Sequence, residues 1–272
     1  MEAVVPRLEA RLPDLHEFVR TLARQIEGRA VRDGDTLVAR FRDFYTDARL
    51  AAIDAVLPGW QAMGAYANGA TLHHVTQAMI ALQLLPEYRE SSSFQQAVLE
   101  WSVLCHDVGK QVVAGQRDAL HAFRSATITA RALPGAGFDT TAVYAAELDA
   151  WTRRVLDATV DAPDGKGKIQ DNRALPDIFE GLDRLFGADT PATLVVQTVL
   201  LHQSLTVVPE WPNPGSLASG EQSCIGPALL PVLEGMMLVD SDAWQLFDPA
   251  SKAKFRDCTL AVFDALRRQA SG

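Results

Sequence analysis

Apolar residues recur every three or four positions through most of the chain, and this period limits the fold more than any other feature. Leu8, Leu12, Leu15, Phe18, Val19 and Leu22 form one stripe of the kind a helix buries along one face. A similar stripe runs from Leu37 to Val56 and stops at Pro58-Gly59. Leu72 to Leu85 is apolar around much of its circumference and ends at Pro86, and the Ser91-Ser92-Ser93 run offers N-caps to a helix over Phe94 to Cys105. The same reading predicts helices over Arg117–Leu133, Thr140–Thr159, Leu175–Phe186, Thr193–Leu201, Leu229–Phe247 and Lys252–Arg268. No period-two strand or Asn-Gly hairpin stands out, so the expected fold class is all-α. Two segments rich in turn formers, Asp161 to Ile169 and Pro209 to Gln222, are long enough to act as lids.

Charge and cysteine usage narrow the function classes. Asp and Glu outnumber Lys and Arg by 34 to 25, for a formal charge of -9, and Lys110, Lys166, Lys168, Lys252 and Lys254 are the only lysines. No broad basic surface results, so nucleic acid is not expected as a partner. Cys105, Cys224 and Cys258 are far apart and make no C-x-x-C pair, which argues against a disulfide framework or a thiolate zinc site. The expected setting is the reduced cytoplasm. The first residues lack an apolar signal core, and the longest uncharged stretch, Thr190 to Pro209, carries too many polar residues for a membrane span. The oligomeric state is left open by these features.

Chemistry concentrates around Leu104-Cys-His-Asp-Val-Gly-Lys110, where His106 and Asp107 stand side by side at the end of an apolar helix. Adjacent residues on a helix point about 100° apart, so both can address one ion only where the helix is ending. Upstream, His73-His74 opens another apolar helix, and His74 shares a face with Ala78, Leu82 and Leu85. Downstream, Asp240 lies late in LLPVLEGMMLVDSDAW, where a carboxylate is costly unless paired or metal-bound. Two imidazoles and two carboxylates from three helices make a reasonable N/O site for a divalent ion.

The order His, His-Asp, Asp, with the strings HHVTQAM, HDVGK and MMLVDSDAW, resembles the HD superfamily of metal-dependent phosphohydrolases over roughly Thr71 to Phe247. The resemblance implies an HD-domain helical bundle of about five core helices over 61–250, with an inserted helical region around 139–190. An N-terminal helical extension at 1–60 would pack on that body, and a C-terminal helix would occupy 251–272. It also implies metal ligands at His74, His106, Asp107 and Asp240, with His74 preferred to His73 because Ala78 and Met79 fit the positions that follow. His121, in HAFRSA, and His202, closing TLVVQTVLLHQ, look like the further ligands of binuclear members, with Asp107 bridging two ions. The cofactor expected is therefore one or two divalent transition metal ions, Mn, Fe, Co or Zn.

Asp107 and Lys110 are the expected catalytic residues. Lys110, Arg124 and Trp211 are the candidates for contact with a small phosphorylated substrate, while Lys166 and Lys168 read as solvated. Lys110 would set an ammonium against a phosphate oxygen, and Trp211, in a Trp-Pro-Asn-Pro loop, would close over a flat ligand. The expected activity is hydrolysis of a phosphomonoester or nucleotide by a metal-activated water. The alternatives are an HD-fold di-iron oxygenase acting on a small polar substrate, and a non-catalytic HD module that binds a nucleotide or partner.

Overall fold

The structure is a computed structural model in which residues 5–65, 70–111, 118–210 and 212–270 are described. Fourteen α-helices lie among the described residues: α1 (Leu8–Arg11), α2 (Pro13–Glu27), α3 (Gly34–Phe44), α4 (Asp47–Val56), α5 (Trp60–Ala65), α6 (Ala70–Leu84), α7 (Pro86–Glu90), α8 (Ser93–Cys105), α9 (His121–Ala132), α10 (Tyr144–Asp157), α11 (Leu175–Phe186), α12 (Pro191–Leu201), α13 (Leu230–Trp244) and α14 (Pro249–Ala270). One small antiparallel pair, β1 (Thr159–Asp161) and β2 (Lys168–Gln170), sits between α10 and α11. The fold is all-α, and no described helix is long and apolar enough to cross a membrane.

Helix α8 is the central element. Every residue from Ala97 to Cys105 is buried, as expected for a helix that is apolar on all sides. It packs against α6, α9, α12 and α13. Its start is fixed by a reciprocal capping box, with Ser92 Oγ accepting from Gln95 N and the Gln95 side chain accepting from Ser92 N. Leu104 is fully buried in this centre, and trimming such a leucine to alanine typically costs about 2–5 kcal/mol. The remaining helices support this core. α2 lies on α6, α1 on α8, α14 on α13, and α10 and α11 pack on each other.

The periodicity located the helices, but local chemistry moved several ends. The stripe Leu8 to Leu22 is divided between α1 and α2, because Pro13 has no N–H to continue α1 and instead starts α2. The stripe Leu37 to Val56 breaks at Tyr45-Thr46, where Thr46 is extended and its hydroxyl accepts from Arg49 N to cap α4. The expected loop from Asp161 to Ile169 is mostly a hairpin, with Val160 opposite Ile169. Its strands are three residues long, too short to show an alternating pattern. Helix α9 begins at His121 rather than at Arg117, and Arg117 itself lies outside the described residues.

Candidate metal centre

Five helices of the core bring their polar residues to one end of the bundle. His74 is in the second turn of α6, His106 caps the C-terminus of α8 and Asp107 follows it. His121 opens α9, His202 caps the C-terminus of α12, and Asp240 lies in the later half of α13. His74, His106, Asp107, His121 and His202 are all buried, while Asp240 is one quarter exposed.

The atoms form two sets that share Asp107. In the first, His74 Nε2 lies 2.8 Å from Asp240 Oδ1, 3.4 Å from His106 Nε2 and 3.9 Å from Asp107 Oδ2. His106 Nε2 is 3.7 Å from both Asp107 Oδ2 and Asp240 Oδ1. In the second set, Asp107 Oδ1 is 3.1 Å from His121 Nε2 and 3.9 Å from His202 Nε2, and the two imidazole nitrogens are 3.2 Å apart. Ligands at right angles around an ion with bonds of about 2.1 Å stand about 3 Å apart, and opposed ligands about 4.2 Å. Every separation above falls in or close to that interval.

The proton positions point to the same chemistry. Nδ1 of His106, His121 and His202 each faces a backbone carbonyl three residues earlier, on Val103, Asp118 and Val199 respectively. A carbonyl only accepts, so each Nδ1 carries the proton, and in the neutral imidazole it is Nε2 that is left with a lone pair. The His121 and His202 lone pairs therefore face each other, and both face Asp107 Oδ1, a buried oxygen with no hydrogen-bond donor among the described residues. Three electron-rich atoms this close repel one another unless a cation lies between them. Orienting carbonyls behind each imidazole are the usual support of metal-binding histidines.

Charge states agree with ligation. Burial, reinforced by the neighbouring His121 and His106, pushes the His202 imidazole down to about 3, so it is neutral at pH 7. Burial likewise lowers His106, against the pull of Asp107 and Asp240. For Asp107, burial acts upward, but His106, His121 and Lys110 outweigh it and hold the carboxyl well below its ordinary range. Asp240 is held low in the same way: its burial is outweighed by the hydrogen bond and charge of His74 and by His106. These buried groups could hold metal ions.

Two glycines set the position of the His106–Lys110 loop. A Cβ on Gly109 would come within 2.5 Å of Ser125 N and 2.8 Å of the Arg124 backbone, so only glycine allows this approach to α9. Gly109 N donates to Ser125 Oγ at 3.0 Å across that contact. On the other side Gly59, at φ +111°, lies against Val108, whose carbonyl a Cβ would meet at 2.8 Å.

The other candidate residues divide. Lys110 Nζ donates to Asp107 Oδ2 at 2.7 Å and is one quarter exposed, which sets its ammonium at the edge of the site. Arg124 donates to Gly109 O and to the Asp118 carboxylate, so its guanidinium braces the loop that supplies the His121 support. His73 turns away from the cluster and packs its ring on Phe41, 5.4 Å between centroids. Lys166 and Lys168 are exposed in the hairpin. Trp211 lies outside the described residues. The residues that follow, 213–217, are tied to the body: Asn213 Nδ2 donates to Gln203 O, Gln170 Nε2 donates to Ser204 Oγ and Gly215 O, and Leu217 N donates to Ser204 O. The hairpin thus braces the turn that follows His202.

One aromatic at the site was not anticipated. Trp244 follows Asp240 by one helical turn, is 65% exposed, and stacks on the His74 ring at 4.5 Å with 21° between planes. The i, i+4 spacing of Asp240 and Trp244 was the available signal. Among the described residues, then, the chain is a helical bundle with a buried five-residue His/Asp cluster and an adjoining carboxylate. Compared with family models, curated proteins and solved structures, it matches none.

Proposed function

We propose that the chain is a metal-dependent phosphohydrolase of the HD superfamily, acting on a phosphomonoester or a nucleotide. One observation carries the reading: the two oxygens of the buried Asp107 face two different imidazole sets, so a single carboxylate can bridge two ions. His74, His106, Asp107 and Asp240 would hold one ion, and Asp107, His121 and His202 the other. Divalent ions held there would supply Lewis acidity, lowering the pKa of a water and neutralising phosphoryl oxygens.

The chain's own groups do the rest. The carbonyls of Val103, Asp118 and Val199 keep three imidazoles in the ligating tautomer. Asp107, ionised at neutral pH, offers both oxygens. Lys110 Nζ is 2.7 Å from Asp107 Oδ2 on a flexible stem, and its ammonium can turn from that carboxylate to a phosphoryl oxygen.

The test is metal analysis of the purified protein together with phosphate release from phenyl phosphate after loading with Mn, Fe, Co or Zn. About two ions per chain and metal-dependent release, both lost in Asp107→Ala, are expected. A protein that binds metal, releases no phosphate, is coloured and consumes oxygen would favour the di-iron oxygenase reading instead, since imidazole and carboxylate also suit iron. Full metal content and activity in Asp107→Ala would refute the site.

A further inference from the structure

A cavity of about 230 Å³ opens beside the metal centre, with His202 and Asp240 on its rim. Its lining mixes the polar side chains of Gln203, Thr206, Asn213 and Ser241 with apolar ones such as Met237 and Phe255. Among the described residues, no lysine or arginine lines it. The volume matches roughly eight waters at about 30 Å³ each. It is below the range of about 300–1,000 Å³ usual for drug-sized ligands.

The wall polar groups differ in what they have left to offer. Thr206 Oγ1 is shared with Ser216 Oγ and accepts from Asn213 N, while Asn213 spends its amide on Gln203 O and Gly215 N. Those two residues build the wall. The side chains of Gln203 and Ser241 have no hydrogen bond among the described residues, and both are half-buried. Each directly follows a metal-site residue, Gln203 after His202 and Ser241 after Asp240, so a carboxamide and a hydroxyl line the cavity next to the reacting centre.

Resting on the phosphohydrolase reading, we propose that this cavity takes the uncharged, hydroxyl-bearing part of the substrate, with Gln203 and Ser241 as its hydrogen-bonding residues. The preferred substrate class is then the phosphomonoester of a sugar or small polyol. Neutral groups that both donate and accept match hydroxyls, and a cavity of this size disfavours a nucleoside triphosphate. The balance of the reaction is ordinary hydrolysis: water adds to phosphorus, the P–O bond to the sugar oxygen breaks, and that oxygen leaves with a proton as the free alcohol.

Phosphate release by the metal-loaded full chain from ribose 5-phosphate, glucose 6-phosphate, phenyl phosphate and ATP tests this. A sugar phosphate should show the highest kcat/KM. Ser241→Ala and Gln203→Ala should each raise KM for it by about three- to tenfold, the size of one neutral hydrogen bond, with metal content as in the unaltered chain. Ser241→Leu, which fills the cavity, should raise KM further. Release from phenyl phosphate or ATP with equal or higher kcat/KM, or unchanged KM in both alanine variants, overturns the cavity assignment while leaving the phosphohydrolase reading intact. Release from none of the four, with metal bound, removes that reading and this inference with it.

Discussion

Gly109 offers the sharpest test of how the metal centre is held together. In Gly109→Ala the new methyl would lie 2.5 Å from Ser125 N and 2.8 Å from both Arg124 C and Arg124 Cβ. These are main-chain and Cβ atoms of α9, so no flexible side-chain end can give way. Restoring ordinary contact requires the loop and α9 to part by about 0.9 Å. Overpacking of this kind costs about 1–3 kcal/mol. At about 2–4 °C per kcal/mol for a chain near this size, the thermal midpoint should fall by roughly 2–12 °C. The functional effect should be larger than the loss of stability. His121 is one turn before Ser125 on the same helix, and its Nε2 is only 3.1 Å from Asp107 Oδ1. Moving α9 away from the loop opens that gap directly, and a misplacement near 1 Å can cost on the order of 10²-fold. Thermal melts and metal titration should therefore show a modestly destabilised chain that retains one ion and binds the second about 10- to 100-fold more weakly. Gly226→Ala is the control, since nothing lies within 4 Å of its Cβ position, and it should leave both quantities alone. A Gly109→Ala protein with two tightly bound ions and an unmoved midpoint would refute the claim that this contact fixes the bridge geometry.

Other perturbations separate the two sets of ligands. Asp107→Ala should remove both ions, because Asp107 alone faces both groups, whereas His202→Ala should remove one; elemental analysis of each variant reads this directly. Asp118→Ala removes the carboxylate that takes Arg124 and Gln111 N, loosening the carbonyl that orients His121, and should weaken the second ion about 10- to 100-fold in a metal titration. Loading with Mn or Co should quench part of the tryptophan fluorescence through Trp244, stacked on His74, and Trp244→Phe should bind the same metal while losing that change. Glu100, buried in α8 and accepting from Tyr88 Oη, is pushed up chiefly by burial. Its folded form binds a proton more readily than its unfolded form, so its contribution to stability is present at low pH and lost as pH rises through the folded value. Glu100→Gln, which keeps an acceptor for Tyr88, should therefore raise the thermal midpoint at pH 8 and not at pH 4.

What the sequence made legible follows from the scale of each determinant. Helix α11 and the body of α6, α8 and α13 were readable because many apolar residues repeat one period, and no single side chain decides the outcome. The breaks at Pro13 and Thr46 rest on one missing N–H and one hydroxyl, which a stripe of leucines conceals. The β1–β2 hairpin has three residues per strand and exists to brace other segments: Gln170 ties Ser204 and Gly215 together, a relation across 34 and 45 residues that no local pattern carries.

The cluster itself was legible for a different reason, and that reason explains its chemistry. Each histidine of the cluster stands near the start of its helix or just past its end, at the one end of the bundle where ring nitrogens can meet without breaking the helical ladder. At a C-terminus the last carbonyls lack helical partners, and His106 and His202 each satisfy one of them through Nδ1 three residues back. The same hydrogen bond that completes the helix end fixes the tautomer and aims Nε2 inward. A histidine following an apolar helix by one residue is thus a structural cap whose Nε2 is left free to face a shared site, and position makes His106 and His202 candidates for it. His73 and His74 cannot be separated that way, since they are adjacent near the start of α6. The 100° between them places one ring on Phe41 and the other beside Asp240. That choice is made by the packing of α3 and α13 around α6, and a local reading of the helix does not contain it.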